Sequence, residues 1–221
     1  MEIVKLIGTP FSFFTYRVIW ALKLKGINYE YIDEDMSKKS PLLVKYNPIH
    51  KKVPTLIHVD KIISDSMVIV EYIDETWQLN PLLSTDSYER ATSRFWAKYI
   101  EEKSHSTWNV FCYTGEKQQN AIKESLEMFK TIEENALGEK NISFGGENIG
   151  FVDIAFGGYS LWMEIIEEIV GIKLLNPHNF PRINKWIKNF KEVKAIKDNL
   201  PNRDEMFVYM KNARGRMLAS P

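Results

Sequence analysis

The sequence predicts an α/β first third followed by an all-helical remainder, and three observations carry that prediction. Strand-like and helix-like runs alternate up to Trp77 in the order strand, helix, strand, loop, hairpin, helix, which favours a small mixed sheet with helices on its faces. The stretch 78–87 contains Asn80-Pro81 and Ser84-Thr85-Asp86-Ser87, polar and turn-rich enough to be a linker. Beyond it almost every segment has a helical period and no strand alternation survives.

Each element has its own local signal. Residues 3–7 are apolar and β-favouring, and Gly8, Thr9 and Pro10 then interrupt them, which reads as a buried strand ending in a loop. Val18, Ala21 and Leu22 recur at helical spacing, Ile19 and Trp20 widen the apolar face, and Gly26 closes the helix. Residues 29–32 look like a second strand. Residues 55–58 and 61–63 flank Val59-Asp60 as a hairpin whose turn lacks the usual glycine. Asp65 or Ser66 can cap the helix that follows, in which Met67, Val70, Glu71 and residues 73–77 fit one period. Helices are then predicted over 88 to about 113, 120–137, 152–170, 182–190 and 204–212. The implied domains are 1–77 and 89–221, joined by a linker at 78–88.

Composition narrows the function classes. Among 221 residues 44% are apolar and 26% charged, so a substantial core is available and a disordered tract is not expected. Lys plus Arg number 29 and Asp plus Glu number 29, a balance that argues against nucleic acid or an anionic membrane as the main partner. Cys112 is the only cysteine, so no intramolecular disulfide or Cys-x-x-Cys pair can exist, and a reducing, cytoplasmic compartment fits best. Residues 1–7 carry two charges inside a short apolar run, and no signal peptide or membrane span is expected.

Three places could carry chemistry. Ser12 lies in the loop after the first strand, where the coming helix presents unpaired N–H groups and a partial positive charge. Its hydroxyl can cap that helix, or it can donate a hydrogen bond to a bound thiolate. Lys38, Lys39, Lys45, Lys51 and Lys52 occur with no acidic residue between them, either a solvated face or a bend of positive charge beside the sheet. Pro54 has no N–H for the strand ladder, which leaves the Val53 backbone able to pair with a ligand. Asp65-Ser66 is a capping pair, or else Ser66 holds a carboxylate and Asp65 an ammonium, as an α-amino acid group would require.

Other candidates carry less. His50, His58, His105 and His178 lack metal-ligand spacing, so no metal site is expected. Gly145-Gly146 and Gly157-Gly158 have no preceding strand and carry no nucleotide signal. Cys112 lies among aromatic residues in a helical stretch, as a small buried residue would.

Together these signals resemble one family, the cytosolic glutathione transferases, and most closely the plant tau class. The resemblance covers essentially the whole chain. Its most specific stretches are Arg17-Val18-Ile19-Trp20-Ala21-Leu22-Lys23-Leu24-Lys25-Gly26, Lys39-Ser40-Pro41-Leu42-Leu43, Tyr46-Asn47-Pro48-Ile49-His50-Lys51-Lys52-Val53-Pro54 and Glu71-Tyr72-Ile73-Asp74-Glu75-Thr76-Trp77. The chain departs from the class at Phe13, where proline commonly follows the catalytic serine, and at Asp65, where glutamate is usual.

The resemblance implies the glutathione transferase fold, an α/β thioredoxin-like N-terminal domain followed by an all-α C-terminal domain. It implies that Ser12 stabilises the thiolate of glutathione, that Lys39 and Lys52 hold the glycine carboxylate, that Val53 pairs with the cysteinyl backbone, and that Asp65 and Ser66 hold the γ-glutamyl end. Pro54 would be cis, and Gly150 with Asp153 would cap a buried core helix. Phe14, Ser106, Val110, Tyr113 and Trp162 would line the hydrophobic substrate site. Glutathione is a co-substrate, so no cofactor is implied. The activity implied is conjugation of the thiolate to hydrophobic electrophiles in detoxification. The alternatives are a glutathione-dependent peroxidase or a weakly catalytic carrier of hydrophobic ligands. A thiol-transfer enzyme fits less well, because such relatives carry cysteine at the Ser12 position. The family also implies a homodimer in which the helix near 67–77 of one chain faces the helix near 88–99 of the other.

Overall fold

A computed structural model describes residues 3–138 and 143–219, so the outer ends of the predicted domains, residues 1–2 and 220–221, lie outside the described residues. Two compact units form, one from the chain up to Leu82 together with Asp198–Pro201, the other from Leu83–Lys197 and the chain from Asn202 onward. The division falls inside the stretch 78–88. The return of Asp198–Pro201 to the first unit has no counterpart in the sequence periodicity. There the indole N–H of Trp20 donates to the Asn199 carbonyl at 3.1 Å.

The first unit runs β1 (Val4–Gly8), α1 (Phe13–Leu24), β2 (Glu30–Asp33), α2 (Pro41–Tyr46), β3 (Thr55–His58), β4 (Lys61–Ser64) and α3 (Ser66–Thr76). The strands lie in the order β2-β1-β3-β4, with β1 and β2 parallel and the other pairs antiparallel. This is the mixed sheet the element order predicts. β1 is a nearly continuous apolar run because it is an inner strand, with Leu6 and Ile7 fully buried. α1 buries Val18, Trp20, Ala21 and Leu22. It ends as its glycine predicts: Gly26 takes φ +68°, its N–H bonds the Lys23 carbonyl, and Ile27 N–H bonds the Leu22 carbonyl. In the hairpin turn, Val59 itself adopts φ +57° where a glycine would be easier.

In the first unit one element differs from expectation. The stretch between β2 and β3, read as loop, contains the six-residue helix α2. Six residues are too few to display an apolar period. Its signal is chemical: Ser40 caps it by accepting the Leu43 N–H at 3.1 Å, and Pro41 occupies the first helical position. Leu43 then packs with Ile7 and Ile57 in a buried cluster.

The second unit contains α4 (Ser87–Cys112), α5 (Gly115–Asn135), α6 (Phe151–Val170), α7 (Pro181–Glu192), α8 (Lys194–Lys197) and α9 (Arg203–Ala219). The four-residue α8 is too short to show a helical period and has no counterpart among the predicted helices. α4 packs against α5 and α6, and α6 is buried along nearly its whole length. The carboxylate of Asp153 accepts the N–H of Gly150 at 2.8 Å, that of Phe144 at 3.0 Å and the indole N–H of Trp186 at 2.6 Å. It thereby ties the start of α6 to the preceding loop and to α7. Gly150 has no side chain, so only Asp153 supplies the side-chain half of this cap.

Candidate functional site

The sheet register gathers the predicted polar residues of the first unit. Gly8, the last residue of β1, pairs with Asp33 at the end of β2. Ile7 pairs with Thr55 at the start of β3, and Thr55 pairs with Ser64 at the end of β4. The loops carrying Ser12, Lys39, Val53 and Asp65-Ser66 therefore all leave the sheet at the same end. Four separate stretches of sequence are brought to one end of the sheet by pairing alone.

Ser12 sits where the first of these loops meets α1. Its Oγ accepts the Thr15 N–H at 3.4 Å, so it is the N-cap, and its own N–H bonds the Thr9 carbonyl at 3.2 Å. Capping uses the oxygen as an acceptor. The hydroxyl proton is still available to donate, so the two readings of Ser12 are compatible. The loop is drawn tight beneath it: Thr9 N–H bonds Thr15 Oγ1 at 3.3 Å, and a Cβ on Gly8 would lie 2.4 Å from Thr15 Cγ2. Only glycine fits that approach.

Phe13 and Phe14 open α1 with ring centroids 3.9 Å apart, and the Arg17 guanidinium lies over both, 5.3 and 5.1 Å from the centroids. Arg17 is fully buried, and its Nη1 donates to Ser66 Oγ at 3.0 Å. Ser66 is the first residue of α3 and is buried; Asp65 caps that helix by accepting the Met67 and Val68 N–H groups on Oδ1. Asp65 holds φ +79°, a conformation costly for most side chains and tolerated better by Asp and Asn.

Lys39 and Lys52 are both exposed, as are Lys38, Lys45 and Lys51. The loop before β3 is organised by buried Asn47, whose Nδ2 donates to the Lys52 carbonyl at 3.0 Å and whose Oδ1 accepts the His50 N–H at 3.1 Å. The Val53 side chain packs against the Ile7–Leu43–Ile57 cluster, so what Val53 can offer a ligand is its backbone. The Val53–Pro54 peptide bond is cis.

Phe14, in the first unit, is 37% exposed. In the second unit Ser106, Val110 and Tyr113 follow one another down one side of α4, while Trp162 is buried in α6. Val110 is buried; Tyr113 is the exposed C-cap of α4, with the Lys117 ammonium 5.4 Å above its ring. The Ser106 hydroxyl is engaged between helices, donating to the Lys103 carbonyl at 2.8 Å and accepting from Ser125 Oγ at 3.3 Å. Cys112 is half-buried, its Sγ 3.8 Å from Met217 Sδ, and burial pushes its thiol pKa up, away from nucleophilic use.

Two residues of this sheet edge escape a sequence reading. Arg17 lies within the apolar stripe of α1, where a basic residue reads as surface, and Asn47 reads only as half of an Asn-Pro turn.

Residues 2–75 match the family model described as glutathione S-transferase, N-terminal domain. A probable glutathione S-transferase of Nicotiana tabacum is 43% identical over 220 residues, covering 100% of this chain and 98% of its own. A tau class glutathione S-transferase structure from the mango Mangifera indica has a TM-score of 0.90 at 38% identity, covering 95% of this chain and 97% of its own. A rice glutathione transferase, solved in complex with glutathione, has a TM-score of 0.89 at 29% identity, with 97% of each chain covered.

Proposed function

Given that the chain belongs to the glutathione S-transferase family, we propose that it binds glutathione at the sheet edge of its first unit and uses Ser12 to hold the thiolate for addition to a hydrophobic electrophile. The observation that carries this reading is the register, which brings the loops of Ser12, Lys39, Val53 and Asp65-Ser66 to one end of the sheet. A tripeptide with two carboxylates and one ammonium requires such a mixture of cations, an acid and hydroxyls at one edge.

The chemistry follows from the N-terminus of α1. A thiol with a pKa near ~8.5 is mostly protonated at neutral pH, and each unit of depression corresponds to ~1.36 kcal/mol in favour of the thiolate. The Ser12 hydroxyl, with its oxygen capping α1, donates a hydrogen bond to the thiolate sulfur, and the helix N-terminus adds a favourable field. Together they would supply roughly one to two units. Lys39 and Lys52 hold the glycine carboxylate, the Val53 backbone aligns the cysteinyl residue, and Ser66 with the second oxygen of Asp65 receives the γ-glutamyl group. No cofactor enters this scheme.

Phe14, Ser106, Val110, Tyr113 and Trp162 are the residues assigned to the electrophile, and their side chains would set substrate preference. The same thiolate could attack an organic hydroperoxide, and comparing turnover of the two substrate types ranks the activities. A cytoplasmic detoxification role is consistent with a chain in which, among the described residues, no helix is long and apolar enough to cross a membrane. We also propose a homodimer joined through α3 and α4: Val68 on α3 is 54% exposed, and Tyr88 and Phe95 on α4 are 78% and 58% exposed. Gel filtration should give twice the chain mass of 25.8 kDa; a mass near one chain contradicts the dimer. For the activity, the test is Ser12→Ala against a chlorinated aromatic electrophile: conjugation should fall at least tenfold, since about 1.4 kcal/mol per decade is less than a lost hydrogen bond to an ionised group. Full activity in that variant would remove Ser12 from the mechanism.

A further inference from the structure

A buried carboxylate outside the residues assigned above stands next to one of them. Glu34 follows the last residue of β2 and is 3% exposed, an environment carboxylates seldom occupy without dedicated partners. Its oxygens are both directed at one residue: Oε1 accepts the Ser40 N–H at 2.6 Å and Oε2 accepts the Ser40 hydroxyl at 2.6 Å. Its own N–H bonds the Gly8 carbonyl at 2.8 Å, which anchors it to the end of β1. Glu34 therefore joins the edge from which the Ser12 loop departs to the cap of α2, and Lys39 is the residue immediately before that cap.

The chain on the other side of Lys39 is also fixed. Asp35 Oδ1 accepts the N–H and hydroxyl of Ser37, and Lys38 N–H bonds the Asp35 carbonyl at 3.0 Å. Lys39 thus emerges from a short span held at both ends. Its side chain is long, exposed and flexible, so fixing its backbone is the main way the fold can aim its ammonium. α2 is too short to hold its own place, and without the Glu34 clamp it is secured by the packing of Leu42, Leu43 and Tyr46 against the core.

We infer that Glu34 is a positioning residue for glutathione: through Ser40 it pre-organises Lys39 to receive the glycine carboxylate. The inference rests on the assignment of Lys39 made above. Pre-organisation lowers the cost of binding without touching the sulfur. Loss of the clamp should therefore appear in KM for glutathione and leave kcat nearly unchanged.

The experiment compares glutathione with its glycine monoethyl ester, which lacks the carboxylate that Lys39 would meet, in the wild type and in Lys39→Ala, Glu34→Leu, Glu34→Gln and Ser40→Ala. Wild type should favour glutathione over the ester by about tenfold in KM, and Lys39→Ala should cut that preference to about threefold, Lys52 holding the remainder. Glu34→Leu should raise KM for glutathione roughly threefold, change kcat and the ester KM much less, and so shrink the same preference to the level of Lys39→Ala. Glu34→Gln, whose amide can still accept from Ser40 N–H and donate to its hydroxyl, should restore it. If Glu34→Leu does not fold, Ser40→Ala carries the test, with a smaller shift in the same direction. Equal rises for both substrates, or an unchanged preference in Glu34→Leu and Ser40→Ala, overturn the role of Glu34 alone. A wild type that does not distinguish the two substrates, or a Lys39→Ala variant whose preference is undiminished, overturns the Lys39 assignment and the inference built on it.

Discussion

The guanidinium of Arg17 donates through Nη1 to the hydroxyl oxygen of Ser66 at 3.0 Å, both residues being buried. The bond joins α1, whose cap is Ser12, to the first residue of α3. Because Arg17 occupies an acceptor lone pair of Ser66, the hydroxyl proton is left to be donated elsewhere, as recognition of a carboxylate needs.

Ser66→Ala removes that acceptor from a buried cation and is expected to cost about 1–3 kcal/mol of stability. It should also raise KM for glutathione more than it lowers kcat. Urea denaturation and steady-state kinetics on the same preparation check both. Equal stability with unchanged KM would show that the Arg17–Ser66 bond does neither job.

Asp153 offers a pH-dependent test. Burial pushes its carboxyl up to about 6 despite the hydrogen bonds it accepts. A folded-state pKa above the unfolded one means that the folded chain binds more protons between about pH 4 and pH 6, so this group's contribution falls as pH rises through that window. The stability of wild type relative to Asp153→Asn should therefore decrease from pH ~4.5 to ~7, by an amount of order ~1–3 kcal/mol. Denaturant midpoints at the two values measure it, and a difference that grows with pH contradicts the assignment.

Gly157 allows α6 and α7 to approach. A Cβ at that position would lie 2.2 Å from Cζ of Phe190. Gly157→Ala is expected to destabilise by about 1–3 kcal/mol or more through overpacking, and Phe190→Leu in the same chain should recover part of that loss. Thermal melts of the four members of this cycle decide it; additive losses would mean the ring does not set the approach.

The elements that could be read from residues alone are those whose signal is local. β1, α1 and α3 carry apolar runs or periods long enough to recognise, and the caps Ser12 and Asp65 are recognisable because capping depends on one residue and its next two or three neighbours. α2 and α8 are shorter than two helical turns, so their hydrophobic residues show no period. Arg17 and Ser66 are 49 positions apart, and nothing in either segment announces the other. Glu34 is similar: within Glu30, Asp33, Glu34 and Asp35 it looks like one of several surface acids, and its bonds to the Gly8 carbonyl and to Ser40 are visible only in the fold. Ser106 shows the remaining ambiguity, since helical spacing puts it on a line with Val110 and Tyr113 but does not reveal that its hydroxyl meets Ser125 of α5.

The central claim is that Ser12 stabilises a thiolate, and a pH titration of the ultraviolet absorbance of bound glutathione tests it most directly. Wild type should ionise the bound thiol roughly one to two units below the ordinary ~8.5, and Ser12→Thr, which keeps the hydroxyl and the cap, should stay close to it. Ser12→Ala should return the value upward by about one unit or more, with a matching loss of conjugation. An unchanged thiol pKa in Ser12→Ala, in a variant that still binds glutathione, would contradict the account.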